Sequence, residues 1–203
     1  MTRSVESLNN IIIDVLREIG NIGAGNATTS LAKMLDKKID MGVPQVRILE
    51  FKEVPMLIGG EENLVIGVYF NLEGDLTGSF MFLLDKESAL SLLNMMMPME
   101  FTDFDEMCTS ALKEIGNILS GAYISSLAAL TNLKISISVP SISYDMAGAI
   151  LSVPAIQFGM VSDRVLIVEN EFFEDLELES IKGYFLLVPD LESYDVLLSS
   201  LGV

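Results

Sequence analysis

Hydrophobic residues recur every three to four positions in two long stretches of the chain, and this spacing predicts two long helices. The first is expected to run from a cap at Ser4 or Ser7 to about residue 35, and the second from about 104 to 130. At about 100° per residue, polar side chains in each helix form a second stripe, well rotated from the apolar one. One stripe of each helix is therefore expected to pack, and the other to face outward.

Shorter apolar runs between these helices predict strands. They are expected at 46–54, 64–71, 76–84, 134–139, 150–160, 165–173 and 184–188. Shorter helices are predicted at 86–97 and 192–201, and the sequence from Asp103 to Glu106 has the form of a capping box for the second long helix. The order of elements is two copies of a helix, strands, helix unit.

Neither half of the chain has enough predicted strands for a well-covered sheet, and no linker rich in proline, glycine or serine separates the halves near residue 100. We therefore expect an α+β fold in which residues 1–203 form a single domain of two repeats, at about 1–100 and 101–203. The repeats should share a largely antiparallel sheet of about six strands, with pseudo-twofold symmetry and two long and two short helices.

The outward stripe of the first long helix returns in the second. When positions 14–44 are aligned with 110–140, 14 of 31 residues are identical. The stripe consists of Asp14, Glu18, Asn21 and Gly25 in the first copy, and of Ser110, Glu114, Asn117 and Gly121 in the second. Outward polar residues of an amphipathic helix are ordinarily only solvated, but a glutamate and an asparagine three positions apart in both copies indicate a function. Both asparagines are expected to be exposed.

Glycines interrupt both predicted helices, although each costs about 1 kcal/mol in a helix interior. Their positions suggest close approach, by another element of the fold at Gly20 and Gly116 and by a docking partner at Gly25 and Gly121. The glycines at 20, 23 and 25 do not form a nucleotide-binding loop, because their order differs from G-x-G-x-x-G and a helix precedes them instead of a strand.

The formal net charge of −17 argues against nucleic acid and anionic membrane surfaces as partners. The most apolar long window, 147–168, contains Pro154, Asp163 and Arg164, so it lacks the run of about 20 apolar residues that a membrane-spanning helix needs. We interpret it as buried strands and expect no membrane insertion. No basic segment followed by an apolar core opens the chain, so no secretory signal is predicted.

Histidine is absent, which removes the commonest general base and the commonest metal ligand. The acidic residues show no compact ligand spacing, so no metal site is predicted. The single Cys108 has no partner for an internal disulfide, which fits a reducing cytoplasm, and its expected role is that of a small packing residue. Any chemistry should therefore use carboxylates and amides.

Each copy of the stripe is followed by a proline at the same distance. Pro44 comes 22 residues after Asn21, and Pro140 comes 22 residues after Asn117. This doubled spacing resembles the signature of the CheC, CheX and FliY family of chemotaxis phosphatases. Two intact motifs in about 200 residues, with no additional domain, are similar to the CheC-type members, and the resemblance covers essentially the whole chain.

The resemblance implies a substrate, the phosphorylated response regulator CheY, and a second partner, the receptor deamidase CheD. It implies catalytic roles for Glu18, Asn21, Glu114 and Asn117, and supporting roles for Asp14, Pro44, Ser110 and Pro140. The protein would need no cofactor of its own, because the regulator binds the Mg²⁺. The residue types agree with these roles, since a carboxamide can hold a water in line with phosphorus and a carboxylate can pair with a substrate lysine.

Three other functions stay open at this point. A non-catalytic module related to flagellar switch proteins would bind the regulator without hydrolysing its phosphate. A scaffold that regulates CheD would use the same fold with hydrolysis secondary. A metal-dependent hydrolase is disfavoured, because the carboxylates are not clustered.

Overall fold

The computed structural model describes residues 10–36, 38, 40–96, 101, 103–158, 164–173 and 181–201. The helices are α1 (Asn10–Leu35), α2 (Val54–Leu57), α3 (Lys86–Met96), α4 (Glu106–Thr131), α5 (Ala147–Phe158) and α6 (Leu191–Ser200). The strands are β1 (Asp40–Met41), β2 (Gln45–Glu50), β3 (Leu64–Gly74), β4 (Gly78–Asp85), β5 (Ile135–Ile137), β6 (Ser141–Met146), β7 (Arg164–Phe173) and β8 (Ile181–Pro189).

The two long helices predicted from periodicity are α1 and α4. The cap of α4 is Asp105, whose carboxylate accepts a hydrogen bond from the backbone nitrogen of Cys108 at 2.8 Å. The capping-box prediction is therefore wrong in placing the cap at Asp103. Hydrogen bonds from the first turn of α4 favour the ionised form and lower the pKa of Asp105. The caps predicted at Ser4 or Ser7 lie outside the described residues.

The strands form one sheet in which every pairing is antiparallel. The order is β1, β7, β8, β4, β3, β5, with β2 also on β7 and β6 also on β3. Strand β2 of the first half thus pairs with β7 of the second, and β6 of the second half pairs with β3 of the first. The halves exchange strands, which confirms the predicted α+β domain with a shared antiparallel sheet and pseudo-twofold symmetry. In the part of the chain that the structure describes, the sheet has eight strands instead of about six, and the repeat boundary near residue 100 stays a prediction.

Side chains of the central strands alternate between two buried clusters, as the period of two in a strand requires. On one face Phe70, Phe82 and Phe185 pack with residues of α1 and α4. On the other face Val65, Leu83 and Leu186 pack with residues of α2 and α5. The two long helices therefore lie together on one face of the sheet, with their remaining surfaces turned to solvent.

The strand predicted at 150–160 is wrong for residues 150–158, because they belong to helix α5, and residues 159 and 160 lie outside the described residues. Its buried residues, Ala147, Ile150, Leu151 and Pro154, have the spacing of a helix, with intervals of three, one and three. The outer side of α5 carries Val153 and Ile156, which are both exposed. Apolar residues on both sides of the helix conceal its period in the sequence.

Three other boundaries differ from the prediction. Strand β2 ends at Glu50 instead of residue 54, because a 3-10 turn (Phe51–Glu53) and α2 follow, and Pro55 has no N–H for a sheet hydrogen bond. Strand β6 and the short β1 were not predicted; β6 has a mostly exposed, polar surface. The short helices predicted at 86–97 and 192–201 are confirmed as α3 and α6. None of the helices in the described ranges is long and apolar enough to cross a membrane.

Candidate functional site

The polar stripe of α1 faces solvent along its length. Asp14, Glu18 and Gly25 are exposed, while Asn21 is half-buried. The opposite side of the helix packs against the sheet through Ile19, Ala24 and Ala27, which are buried. Packing of that side fixes the rotation of α1, and therefore the direction in which the glutamate and the asparagine project.

The equivalent stripe of α4 has the same arrangement. Ser110 and Glu114 are exposed, and Asn117 and Gly121 are half-buried. Ile115 and Leu119 anchor the other side of α4 with no accessible surface. Both asparagines were predicted to be exposed, which is wrong, because each is half-buried.

Within the described part of the chain, the side chains of Glu18, Asn21, Glu114 and Asn117 make no hydrogen bond or ion pair. Asp14 differs from them, because it pairs with Arg17 at 2.9 Å. Both asparagines are only half-buried, so their donors and acceptors are available to water or to a bound molecule.

Asn21 and Gly25 line one wall of a cleft of about 890 Å³, and Val43 and Pro44 line the other. The cleft lies between α1 and the segment that leads into β2. Pro44 is buried directly before the first residue of β2, and Pro140 stands in the same place before β6. The structure therefore brings the motif proline of the first copy to the same cleft as the motif asparagine, while Asp14 and Glu18 extend the stripe beyond it.

The close approach predicted at Gly20 and Gly116 is confirmed, and the docking role predicted for Gly25 and Gly121 stays a prediction. A Cβ atom at Gly20 would lie 3.3 Å from Val46 Cγ2, and one at Gly116 would lie 2.8 Å from Val68 Cγ1, so both permit close packing of a helix on the sheet. A Cβ atom at Gly25 or Gly121 would meet no atom within 4 Å. Nothing in the described residues requires glycine at these last two positions, both of which lie on the polar stripes.

Two residues beside the stripes were not singled out from the sequence. Val43 and Val139 precede the two motif prolines and are 81% and 88% exposed, the largest values for any large hydrophobic residue that the structure describes. Their identity at equivalent positions in the two copies is the signal that could have found them.

Other reactive groups in the described residues are buried away from the stripes. Burial raises the pKa of the Cys108 thiol, and that side chain packs in the core as predicted. Burial also raises the pKa of Tyr123, whose hydroxyl donates a hydrogen bond to Asn170. No group of three or more carboxylate or thiol side chains converges as metal ligands would in the ranges that the structure describes.

The sequence matches the model of the CheC-like family over residues 11–48 and 107–144, which are the two copies of the motif with their flanks. A curated relative, the CheY-P phosphatase CheC of Bacillus subtilis, is 36% identical over 195 residues, covering 94% of this chain and 93% of the relative.

Solved structures share the fold. The crystal structure of FliY from Thermotoga maritima superimposes with a TM-score of 0.74 at 28% identity, over 96% of this chain and 99% of that one. CheX from Borrelia burgdorferi, solved in complex with CheY, BeF3 and Mg²⁺, superimposes with a TM-score of 0.53 at 21% identity, over 88% of this chain and 99% of the matched one. At that lower identity the likeness concerns the fold alone.

Proposed function

The chain belongs to the CheC-like family, and we propose that it is a hydrolase that removes the phosphoryl group from the aspartyl phosphate of phosphorylated CheY. The observation that carries this proposal is the pair of outward stripes on α1 and α4, each with a glutamate and a half-buried asparagine that have no partner in the described residues. The similarity to a CheY-P phosphatase over 94% of the chain supports the choice of substrate.

The proposed reaction is a simple hydrolysis. A water attacks phosphorus, the bond between phosphorus and the aspartyl oxygen breaks, and the regulator regains its carboxylate while inorganic phosphate leaves with the protons of the water. The regulator supplies Mg²⁺ and a lysine that neutralise the phosphoryl oxygens, so a second protein has little charge to stabilise. What it can add is a water held in line with the leaving oxygen.

Asn21 and Asn117 are assigned to hold that water. A carboxamide offers both a donor and an acceptor and does not titrate, so it orients a water at any physiological pH. Partial burial restricts the motion of each side chain, which lowers the entropy lost when the water is fixed. The Glu18 and Glu114 carboxylates, one turn towards the N-terminus, are assigned to pair with a lysine of the regulator and set the docking position.

The remaining motif residues are assigned supporting roles. Asp14 and Ser110 begin the stripes with short polar groups. Pro44 and Pro140 fix the direction in which the chain enters β2 and β6. Gly25 and Gly121 leave a space into which the backbone of the regulator can approach, because neither position has a packing neighbour within 4 Å.

The decay of phosphorylated CheY, measured with and without this protein, tests the proposal. We expect an amount of the protein well below that of phosphorylated CheY to accelerate the decay, at a rate that saturates as the concentration of phosphorylated CheY rises. Metal analysis of the purified protein, together with a titration of Mg²⁺ against substrate phosphorylation, should show that only the substrate needs a metal. Binding without faster decay would instead identify a non-catalytic switch-type module, and a bound transition metal essential for activity would overturn the mechanism.

We further propose that the protein binds CheD and acts in the cytoplasm. The family resemblance supports both statements. Titration of labelled CheD with the protein should give saturable binding, and the N21A/N117A variant should bind equally well if CheD uses a surface separate from the stripes. If the wild-type protein binds CheD but shows no detectable hydrolysis, the scaffold function is the correct one. Fractionation of cells with a compartment marker checks the location.

A further inference from the structure

We propose that Val43, which lines the cleft of Asn21, and Val139, at the equivalent position of the second copy, are the apolar anchors by which the regulator docks. This inference rests on the proposed function and deepens it, because it names residues that set the affinity for the substrate protein. Neither valine belongs to the motif of glutamate, asparagine and proline.

Exposure is the first observation. Burying a valine side chain normally stabilises a protein, yet these two are 81% and 88% exposed. They also occupy equivalent positions, 96 residues apart, while the residues immediately before them have diverged to Gly42 and Ser138. Isolated surface hydrophobics are common, but the two most exposed ones in the described chain would not be expected to coincide at the motif by chance.

The backbone holds both valines rigidly. The amide of Gly42 donates to the carbonyl of Glu171 at 2.9 Å, and the amide of Ser138 donates to the carbonyl of Asn71 at 3.0 Å. The following proline restricts each valine to an extended backbone, and a β-branched side chain has few rotamers. Each methyl pair therefore has few positions available, and docking on it loses little conformational entropy.

Location determines the occupant. Val43 lines the same cleft as Asn21 and Gly25, so a protein that brings its phosphorus to the water on Asn21 approaches the wall of the cleft that carries Val43. The stripe itself is polar, whereas protein interfaces with measurable affinity combine apolar anchors with a polar rim. The valine supplies the apolar contact that the stripe lacks, and the regulator is the partner that the asparagine selects.

The test compares two variants, V43D/V139D and M56D. Met56 is a matched control, because it is 76% exposed and belongs to α2, on the face of the sheet away from α1 and α4. BeF3-activated CheY with Mg²⁺ is the binding probe, and turnover of phosphorylated CheY gives KM and kcat. We expect V43D/V139D to weaken binding and raise KM at least tenfold with kcat nearly retained, whereas M56D changes neither.

Two further variants separate docking from folding. V43I/V139I should bind as the wild type does, because isoleucine keeps an apolar side chain at both positions. V43S/V139S should bind more weakly than the wild type, with an unchanged far-ultraviolet spectrum and Tm. Wild-type KM in both V43D/V139D and V43S/V139S would overturn the inference while leaving the hydrolase function intact. A wild-type protein that does not accelerate decay would overturn the function itself, and loss of kcat without a change in KM would assign the valines to the chemical step instead of docking.

Discussion

The first stripe, on α1, and the second, on α4, agree in their central residues and differ at their edges. Both have an exposed glutamate, a half-buried asparagine and a protruding valine before a proline. At the start of the stripe, however, Asp14 forms an ion pair with Arg17, whereas the second copy has Ser110 at the equivalent position. If the stripes act as proposed, the shared central residues give both copies the same chemistry, and the different first residues give each copy its own docking surface.

The helices also differ beneath their stripes. Ala27 of α1 and Tyr123 of α4 are equivalent, and both are buried. The Tyr123 hydroxyl donates a hydrogen bond to Asn170, a buried residue of β7. The centroid of the Tyr123 ring lies 4.3 Å from the centroid of the Phe185 ring. The ring also fills the space beside Gly23, where a Cβ atom would lie 2.8 Å from it. One large residue on the second helix thus requires a small one on the first, so the copies are complementary in the core.

The largest effect expected from this comparison concerns the asparagines. Replacing Asn21 or Asn117 by alanine should remove a group that orients a reactant, at a cost of about 10²–10³ in rate at that site. The N21A/N117A variant should therefore be nearly inactive, while each single variant keeps about half of the turnover if the sites are equal.

Turnover of the three variants, with thermal unfolding as a control for folding, ranks the two sites. The single variant that loses more activity identifies the stronger site. If one single variant is as inactive as the double variant and still folded, the two stripes form one composite site or one of them is only structural.

The next effect concerns docking. The variant E18K/E114K places a positive charge where each glutamate should meet a substrate lysine, and like charges at an interface repel. Because both positions are exposed and screened by solvent, we expect affinity for BeF3-activated CheY to fall on the order of tenfold to a hundredfold. Measuring E18K and E114K singly, by titration calorimetry, shows which stripe contributes more, and equal affinity of wild type and E18K/E114K would remove the docking role.

Stability should respond to the difference in the core. Tyr123→Phe leaves the side-chain oxygen of Asn170 without its buried donor, which costs about 1–3 kcal/mol in the free energy of unfolding. Urea unfolding followed by circular dichroism measures this, and Tyr144→Phe, at a half-exposed ring on β6, is the matched control. An unchanged midpoint for Tyr123→Phe would mean that water replaces the hydroxyl.

A smaller change should have opposite effects on stability and activity. Gly25→Ala and Gly121→Ala together should raise the free energy of unfolding by about 1 kcal/mol per position, because alanine favours the helix and meets no neighbour. The same variant should hydrolyse phosphorylated CheY more slowly, since the added methyl groups occupy the approach space. A more stable protein with wild-type turnover would remove both glycines from the docking surface.

The smallest effect concerns the edge of the first cleft. Lys33, an exposed residue that lines this cleft, is replaced in the second copy by Ala129. Lys33→Ala in the N117A background should change KM less than about fivefold, because a single exposed charge contributes at most about 1 kcal/mol. The dependence of KM on salt concentration should also decrease, and an unaltered salt dependence would exclude Lys33 from the docking surface.

Sequence patterns were sufficient for the features that repeat. The stripes of α1 and α4 follow from periodicity. The functional role of Glu18 and Asn21, inferred from their recurrence as Glu114 and Asn117, stays a prediction. The division of the glycines was also predictable, because Gly20 and Gly116 lie towards the apolar side of their helices. The family signature added the prolines and the substrate class.

Sequence patterns failed to predict features that depend on tertiary packing. Helix α5 was predicted as strand because Val153 and Ile156 are apolar on its exposed side, so the sequence shows no alternation between buried and exposed positions. The exposure of Val43 and Val139 also could not be predicted, since a valine next to a strand normally packs. The cleft itself joins residues more than 20 positions apart, and its walls become apparent only once α1 is packed on the sheet.

The exchange of β2 and β6 between the halves has a consequence for how the chain reaches its native state. Each half, separated from the other, would present an outer strand surface with unpaired amides and carbonyls, a template for association with other chains. Because the pairings of β2 with β7 and β6 with β3 join residues far apart in sequence, folding must close long loops before they form, which slows it. The two proposed sites should therefore form and unfold together, and protection of backbone amides from hydrogen exchange should fall in α1 and α4 at the same denaturant concentration.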